Sequence, residues 1–129
     1  MEVFVYGTLT DETTARSVLD DFEYRGSAEL LGLQRVDGQY STLGPGDSTT
    51  GRLLWTPETD AFDRYEGVDR GLYSRLTLPL EQHGRTGTVE VYVGDPDVLG
   101  APVEWPGEGR FDERARRYCE TQDVRVVQR

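Results

Sequence analysis

The chain has 129 residues, a formal net charge of −10, and fourteen basic residues that are all arginine. That length fits one domain over residues 1–129 with a buried core, and the negative balance argues against nucleic acid or an anionic membrane as partner. The single cysteine, Cys119, excludes an internal disulfide framework, and no stretch reads as a signal peptide or membrane span, so a cytoplasmic location is expected.

Residues 2–6 (Glu-Val-Phe-Val-Tyr) are β-branched and aromatic and read as a buried strand ended by Gly7. Residues 10–20 predict a helix capped by Thr10 or Asp11, with Ala15, Val18 and Leu19 as its apolar stripe. Residues 23–36 predict one long or bulged strand that bends at Gly26 and Gly32. Asp37-Gly38 signals a turn, residues 43–47 a loop, and residues 50–55 the next strand.

Thr56-Pro57-Glu58 then opens a short helix, with threonine as cap and proline in the first turn, and Gly67 closes it. Residues 72–80 and 86–93 alternate at period two about His83-Gly84, which predicts a hairpin. Phe111, Ala115, Tyr118 and Cys119 recur at helical spacing over residues 111–121, where Arg114, Arg116 and Arg117 are expected to complement the dipole. A last strand is expected at residues 124–127. The order predicts an α+β fold, a small, mostly antiparallel sheet or barrel flanked by short helices.

Two places could carry chemistry. Tyr6-Gly7-Thr8-Leu9 follows a buried strand, where glycine admits close approach and successive amides can form an anion-binding nest. The same four residues also read as an ordinary glycine turn. Glu66 lies four residues after Phe62, hence on the same helix face. If Phe62 faces the core, burial and the negative end of the helix dipole raise the Glu66 pKa toward working pH, as a general acid/base needs. Otherwise Glu66 is a solvated residue ahead of a glycine cap. Asp63 is either a partner carboxylate or the mate of a nearby arginine.

Taken together, Tyr6-Gly7-Thr8-Leu9 on a first strand and Asp63-Arg-Tyr-Glu66-Gly67 followed by Tyr73-Ser-Arg75 resemble the two signature regions of the γ-glutamylcyclotransferase-like superfamily, the AIG2-like and γ-glutamylamine cyclotransferase type. The strands at residues 50–55 and 89–93 are similar in place, so the resemblance covers roughly residues 2–95. It implies a six-stranded barrel-like sheet with peripheral helices. It also implies cyclisation of a small γ-glutamyl amide or peptide to 5-oxoproline with release of the amine, without metal or other cofactor. By the same resemblance Glu66 is the catalytic acid/base, Tyr6, Gly7, Thr8 and Leu9 cradle the substrate, and Tyr73 and Arg75 support the pocket. The chain departs from the family after Leu9, where Thr10-Asp-Glu-Thr replaces basic residues, and at Tyr40-Ser41, where a Tyr-Pro pair is common. A non-catalytic ligand-binding or regulatory domain on the same scaffold is the alternative.

The remaining residues read without chemistry. His83 is expected in a solvated turn, and Cys119 as a small buried hydrophobe. Trp105 is either a plug over the core or a lip of the pocket. A homo-oligomer is possible but nothing indicates one. The acidic surface fits a salty cytoplasm, whose ions screen self-repulsion, or a GC-rich genome that replaces lysine with arginine.

Overall fold

The structure, a computed structural model, describes residues 1–128. Six strands form a closed barrel: β1 (Glu2–Val5), β2 (Glu23–Val36), β3 (Thr42–Trp55), β4 (Tyr73–Gln82), β5 (Arg85–Gly94) and β6 (Arg125–Gln128), in spatial order β1-β3-β2-β6-β4-β5. Four neighbouring pairs are antiparallel, while β1/β5 and β4/β6 are parallel. The sheet is thus mostly antiparallel, as expected, with two parallel seams that close it.

Alternation along the strands separates two cores. Phe4, Leu30, Leu53, Leu76, Val91 and Val126 come one from each strand and belong to a single buried cluster, which is the barrel interior. Each such side chain contributes roughly 1.5–3 kcal/mol by leaving water. The opposite face of β1 and β5 carries Val3, Val5 and Tyr92. It is covered by α1 (Glu12–Val18) and α2 (Thr59–Glu66), through Ala15 and Phe62. Two further helices, α3 (Pro96–Leu99) and α4 (Phe111–Thr121), follow the hairpin; α3 was not anticipated, being only four residues long.

Local chemistry explains most boundaries. Asp11 caps α1 through a 3.0 Å bond from the Thr14 amide. β2 bulges beside Gly26 and Gly32, which sit at φ of 95° and 103°. His83 and Gly84, at φ of 44° and 80°, make the tight β4–β5 turn, and His83 is exposed.

Three local expectations are corrected. Residues 43–47 are not a loop but the first half of β3, paired with β2 through Leu33↔Pro45 and Gln34↔Gly44. Their glycines serve packing: a Cβ on Gly44 would lie 2.9 Å from Val103, and one on Gly46 2.6 Å from Gln34 Cβ. Pro45 is tolerated because β1 reaches only residues 52–55, leaving this part of β3 without a second partner. Thr56 does not cap α2; its hydroxyl accepts from the Glu58 amide and donates to Asp21 O, and the helix starts at Thr59. Arg114 and Arg117 donate to the carbonyls of Trp105 and Glu108 and so anchor the preceding loop, while Arg116 pairs with Asp112 in the first turn of α4; none of the three serves the helix end.

Candidate functional site

The site opens where two parallel strands part. β1 and β5 share one registered pair, Val3↔Glu90, after which they diverge. The gap between them widens into a cavity of about 450 Å3, lined by Tyr6, Gly7, Thr8, Ser41, Phe62, Tyr65, Glu66, Tyr73 and Tyr92, among others. Tyr6 points toward the barrel interior and spans the gap, donating its hydroxyl to Tyr92 O at 2.5 Å. Burial raises the Tyr6 pKa well above the usual value, and a charged Glu66 adds to it, so the phenol stays neutral.

Gly7 and Thr8 form the turn that leaves β1. The carbonyls of this turn are occupied: Gly7 O accepts from the Thr10 amide and hydroxyl, and Thr8 O from the Asp11 amide. Among the described residues, the Gly7 and Thr8 amides have no hydrogen-bond acceptor. Polar amides at a cavity wall with no internal partner are donors available to a ligand.

α2 supplies the acid. Phe62 is buried and stacks on Tyr92, with ring centroids 4.8 Å apart and planes 6° from parallel. That contact fixes the rotation of the helix, so Glu66, one turn later, faces the cavity from its last residue. Gly67 then ends the helix in the left-handed conformation, at φ of 71°. Glu66 has neither a salt bridge nor a side-chain hydrogen bond among the described residues. Burial pushes its pKa from the ordinary 4.5 up to about 7.

Hydroxyls and one arginine hold the walls together. Tyr73 donates to Ser41 O at 2.6 Å, and burial with the nearby Glu66 charge pushes its pKa up to about 12. Arg35 donates to Tyr6 O at 2.9 Å and to Ser41 Oγ at 3.1 Å. The Thr8 and Tyr65 hydroxyls meet at 2.8 Å, linking the glycine turn to α2.

The chain segment from residue 3 to 113 matches the family model for "Gamma-glutamyl cyclotransferase, AIG2-like". The chain belongs to that family. AIG2-like protein A of Arabidopsis thaliana is 28% identical, over 92% of this chain and 77% of that protein. A solved structure titled gamma-glutamyl cyclotransferase superposes with a TM-score of 0.64 at 14% identity, covering 93% of this chain and 98% of the other. An uncharacterized human protein gives 0.62 at 15%, over 91% and 96% of the two chains. These two likenesses are likenesses of fold.

Of the residues that the family resemblance singled out, the structure brings Tyr6, Gly7, Thr8, Glu66 and Tyr73 to one cavity. Leu9 and Arg75 lie elsewhere. Leu9 is buried in the outer core, beneath α1. Arg75 stands on the outer face of β4, 3.6 Å from Asp63 and 3.8 Å from Glu90. Asp63 is therefore the mate of an arginine, and it also accepts from the Tyr92 hydroxyl at 2.6 Å. Sequence reasoning did not single out Tyr65, Arg70 or Tyr92 as cavity residues. Tyr92 was signalled by the alternation of β5, where Val89, Val91 and Val93 face the interior and Tyr92 must face outward.

The other singled-out groups stand apart from the cavity. Cys119 is buried, and that burial pushes its thiol up to about 12. Trp105 is 2% exposed and packs edge-on against Phe111 and Tyr118 in the inner core, so it is a plug and not a lip. Among the described residues, no cluster of His, Cys, Asp and Glu is placed to hold a metal ion, and no helix is long and apolar enough to cross a membrane.

Proposed function

We propose that this chain is a γ-glutamylcyclotransferase-type enzyme that converts a γ-glutamyl amide or peptide to 5-oxoproline and a free amine, with Glu66 as the general acid/base. The observation that carries the reading is Glu66 itself: a carboxyl with no cationic partner, shifted by burial to about 7, on the wall of a cavity. Family membership supports the same reaction class.

The substrate brings its own nucleophile. Its α-amine attacks the γ-carbonyl, closing a five-membered lactam ring. Glu66, ionised, takes a proton from that amine and then delivers it to the departing nitrogen as the C–N bond breaks. The carboxylate is regenerated, and the products are 5-oxoproline and the amine. Holding the substrate folded supplies proximity, several kcal/mol of the barrier in well-oriented cases. The Gly7 and Thr8 amides are suited to bind the α-carboxylate or the developing oxyanion. A carboxyl poised near neutrality serves both proton transfers, worth roughly 10²–10⁴-fold.

The test is release of 5-oxoproline from a panel of γ-glutamyl dipeptides and amines, at low and at molar salt, by wild type beside Glu66→Gln. Turnover is expected to fall at least about a hundredfold in the variant with the fold intact. Activity retained in Glu66→Gln removes Glu66 as the catalyst. No release from any member by folded wild type points instead to a binding domain on this scaffold.

A further inference from the structure

Arg35 stands behind the cavity wall with all three of its side-chain nitrogens engaged. Nε donates to Asp37 Oδ1 at 2.8 Å, Nη1 to Tyr6 O at 2.9 Å and Nη2 to Ser41 Oγ at 3.1 Å. Ser41 Oγ in turn donates to the same Asp37 oxygen at 3.2 Å. Bonds to three separate partners fix the plane of the guanidinium. They tie the end of β2 to the exit of β1 and to the loop of residues 37–41. Arg35 itself does not line the cavity, whereas Tyr6, Gly7 and Ser41 do.

The bond to Tyr6 O reaches the cavity through a single peptide group. Tyr6 lies just past the end of β1, and among the described residues no backbone amide is placed against its carbonyl, so Arg35 is what holds it. The Tyr6–Gly7 peptide is trans and planar, so its C=O and N–H point in opposite directions. With the carbonyl drawn to Arg35, outside the cavity, the Gly7 N–H is turned to the other side of the wall. That amide is one of the two turn amides with no acceptor among the described residues. A cation on the carbonyl oxygen also polarises the peptide and makes its N–H a stronger donor. At 48% exposure the Arg35 side chain is too well solvated to draw an anion strongly through the wall, so its effect is carried by the bond itself.

We propose that Arg35 is a positioning residue: by holding the Tyr6 carbonyl from behind the wall it aims and strengthens the Gly7 N–H that meets an anionic oxygen of the ligand. For the γ-glutamyl substrate this rests on the cyclotransferase reading above. Arg35 touches neither substrate nor Glu66 in this arrangement and acts only through the Tyr6–Gly7 peptide. Mis-aiming one such donor, without deleting it, is expected to cost about tenfold in kcat/KM. Lysine keeps the charge but offers a point donor in place of a planar fork, so Arg35→Lys is expected to recover only part of that loss.

The experiment reads that peptide directly. Tyr6-Gly7 is the one Tyr-Gly pair in the sequence, so labelling with carbonyl-13C tyrosine and 15N glycine gives a single carbonyl-to-amide NMR cross-peak. The peak is recorded for wild type, Arg35→Lys and Arg35→Gln, free and titrated with glutarate, an unreactive dicarboxylate of the same chain length as a glutamyl group. Titrations are run at about pH 6, where burial keeps most of Glu66 neutral. kcat/KM for γ-glutamyl substrates is measured on the same three proteins. In Arg35→Gln the free peak is expected to move upfield as the carbonyl loses its cationic donor, glutarate to bind several-fold more weakly, and kcat/KM to fall about tenfold, with Arg35→Lys between. A peak that stays in place while activity falls overturns the proposal, since Arg35 would then act by packing the loop of residues 37–41. Full activity in Arg35→Lys with the peak displaced overturns it too, because charge alone would suffice. If folded wild type turns over no γ-glutamyl compound, the reaction assigned above fails by itself, and glutarate decides. A shift of the Gly7 amide that Arg35→Gln weakens upholds the positioning role, and no shift in wild type overturns it.

Discussion

The Tyr92 hydroxyl donates a 2.6 Å hydrogen bond to Asp63 Oδ1, so β5 grips α2 one turn before Glu66. The same carboxylate oxygen lies 3.6 Å from Arg75 Nη1, in a pair whose side chains are about a third exposed. A short bond from a phenol to a charged, partly buried acceptor outweighs a long, solvated ion pair. Tyr92→Phe is therefore expected to cost about 1.5–3 kcal/mol, and Arg75→Gln about 0–1 kcal/mol. Urea melts of the two variants read the ranking directly. The reverse order would mean that the ion pair, not the phenol, holds the helix.

Glu66 makes stability and activity run in opposite directions with pH. Burial raises its folded pKa from 4.5 to about 7, so the folded state binds more protons than the unfolded chain between those values. Stability from this group is fully present below about pH 4.5 and is lost as pH rises through about 7. The ionised form is the one that accepts the amine proton, so kcat/KM is expected to rise over the upper part of that window. Glu66→Gln mimics the neutral acid. It is expected to match wild type near pH 4.5 and to exceed it at pH 8 by on the order of 2–3 kcal/mol. Denaturant melts at both pH values check this, and equal stability at pH 8 would show a solvated carboxylate.

Gly51 lets β1 lie close to β3. A Cβ there would strike the Val5 carbonyl oxygen and come within 2.7 Å of Phe4 Cζ, and a backbone oxygen cannot rotate away. Gly51→Ala is expected to cost about 3 kcal/mol and to disturb the strand that delivers Tyr6 and Gly7. Gly87, on the exposed part of β5, is the control, since nothing lies within 4 Å of its Cβ direction. Gly87→Ala is expected to be neutral or to stabilise by about 0.5 kcal/mol. Thermal melts of both variants separate close packing from the general cost of altering a strand glycine.

Where one short-range rule dominates, the sequence was readable. His83-Gly84 takes the tight turn, Gly67 the left-handed cap, and Gly26 and Gly32 the bulges. The spacing of Phe62 and Glu66 placed a carboxyl beside a buried ring because α2 is regular over both. What escaped depends on contacts between distant segments. Gly44, Pro45 and Gly46 look like a loop until Val103 and Gln34 are seen against them. The two parallel seams exist only once the barrel closes, and the cavity opens at one of them. Arg70 and Tyr65 reach its wall for the same reason. Nothing in their local spacing marks either as different from the other exposed residues around them.

Trp105 supplies a test of how far core and cavity are separate. It is buried in the inner cluster, edge-on to Phe111 and Tyr118, and takes no part in the cavity wall. Trp105→Ala should cost about 3–5 kcal/mol, the range for deleting a large buried ring. Trp105→Phe should cost less, about 1–2 kcal/mol. Its Nε1 is buried with no hydrogen-bond partner among the described residues, so phenylalanine loses volume but also removes an unsatisfied donor. Neither substitution is expected to change KM for a γ-glutamyl substrate when measured well below the melting temperature. Melts and steady-state kinetics on the two variants settle the point. A raised KM in Trp105→Phe, at nearly native stability, would mean that the plug shapes the pocket through the barrel wall.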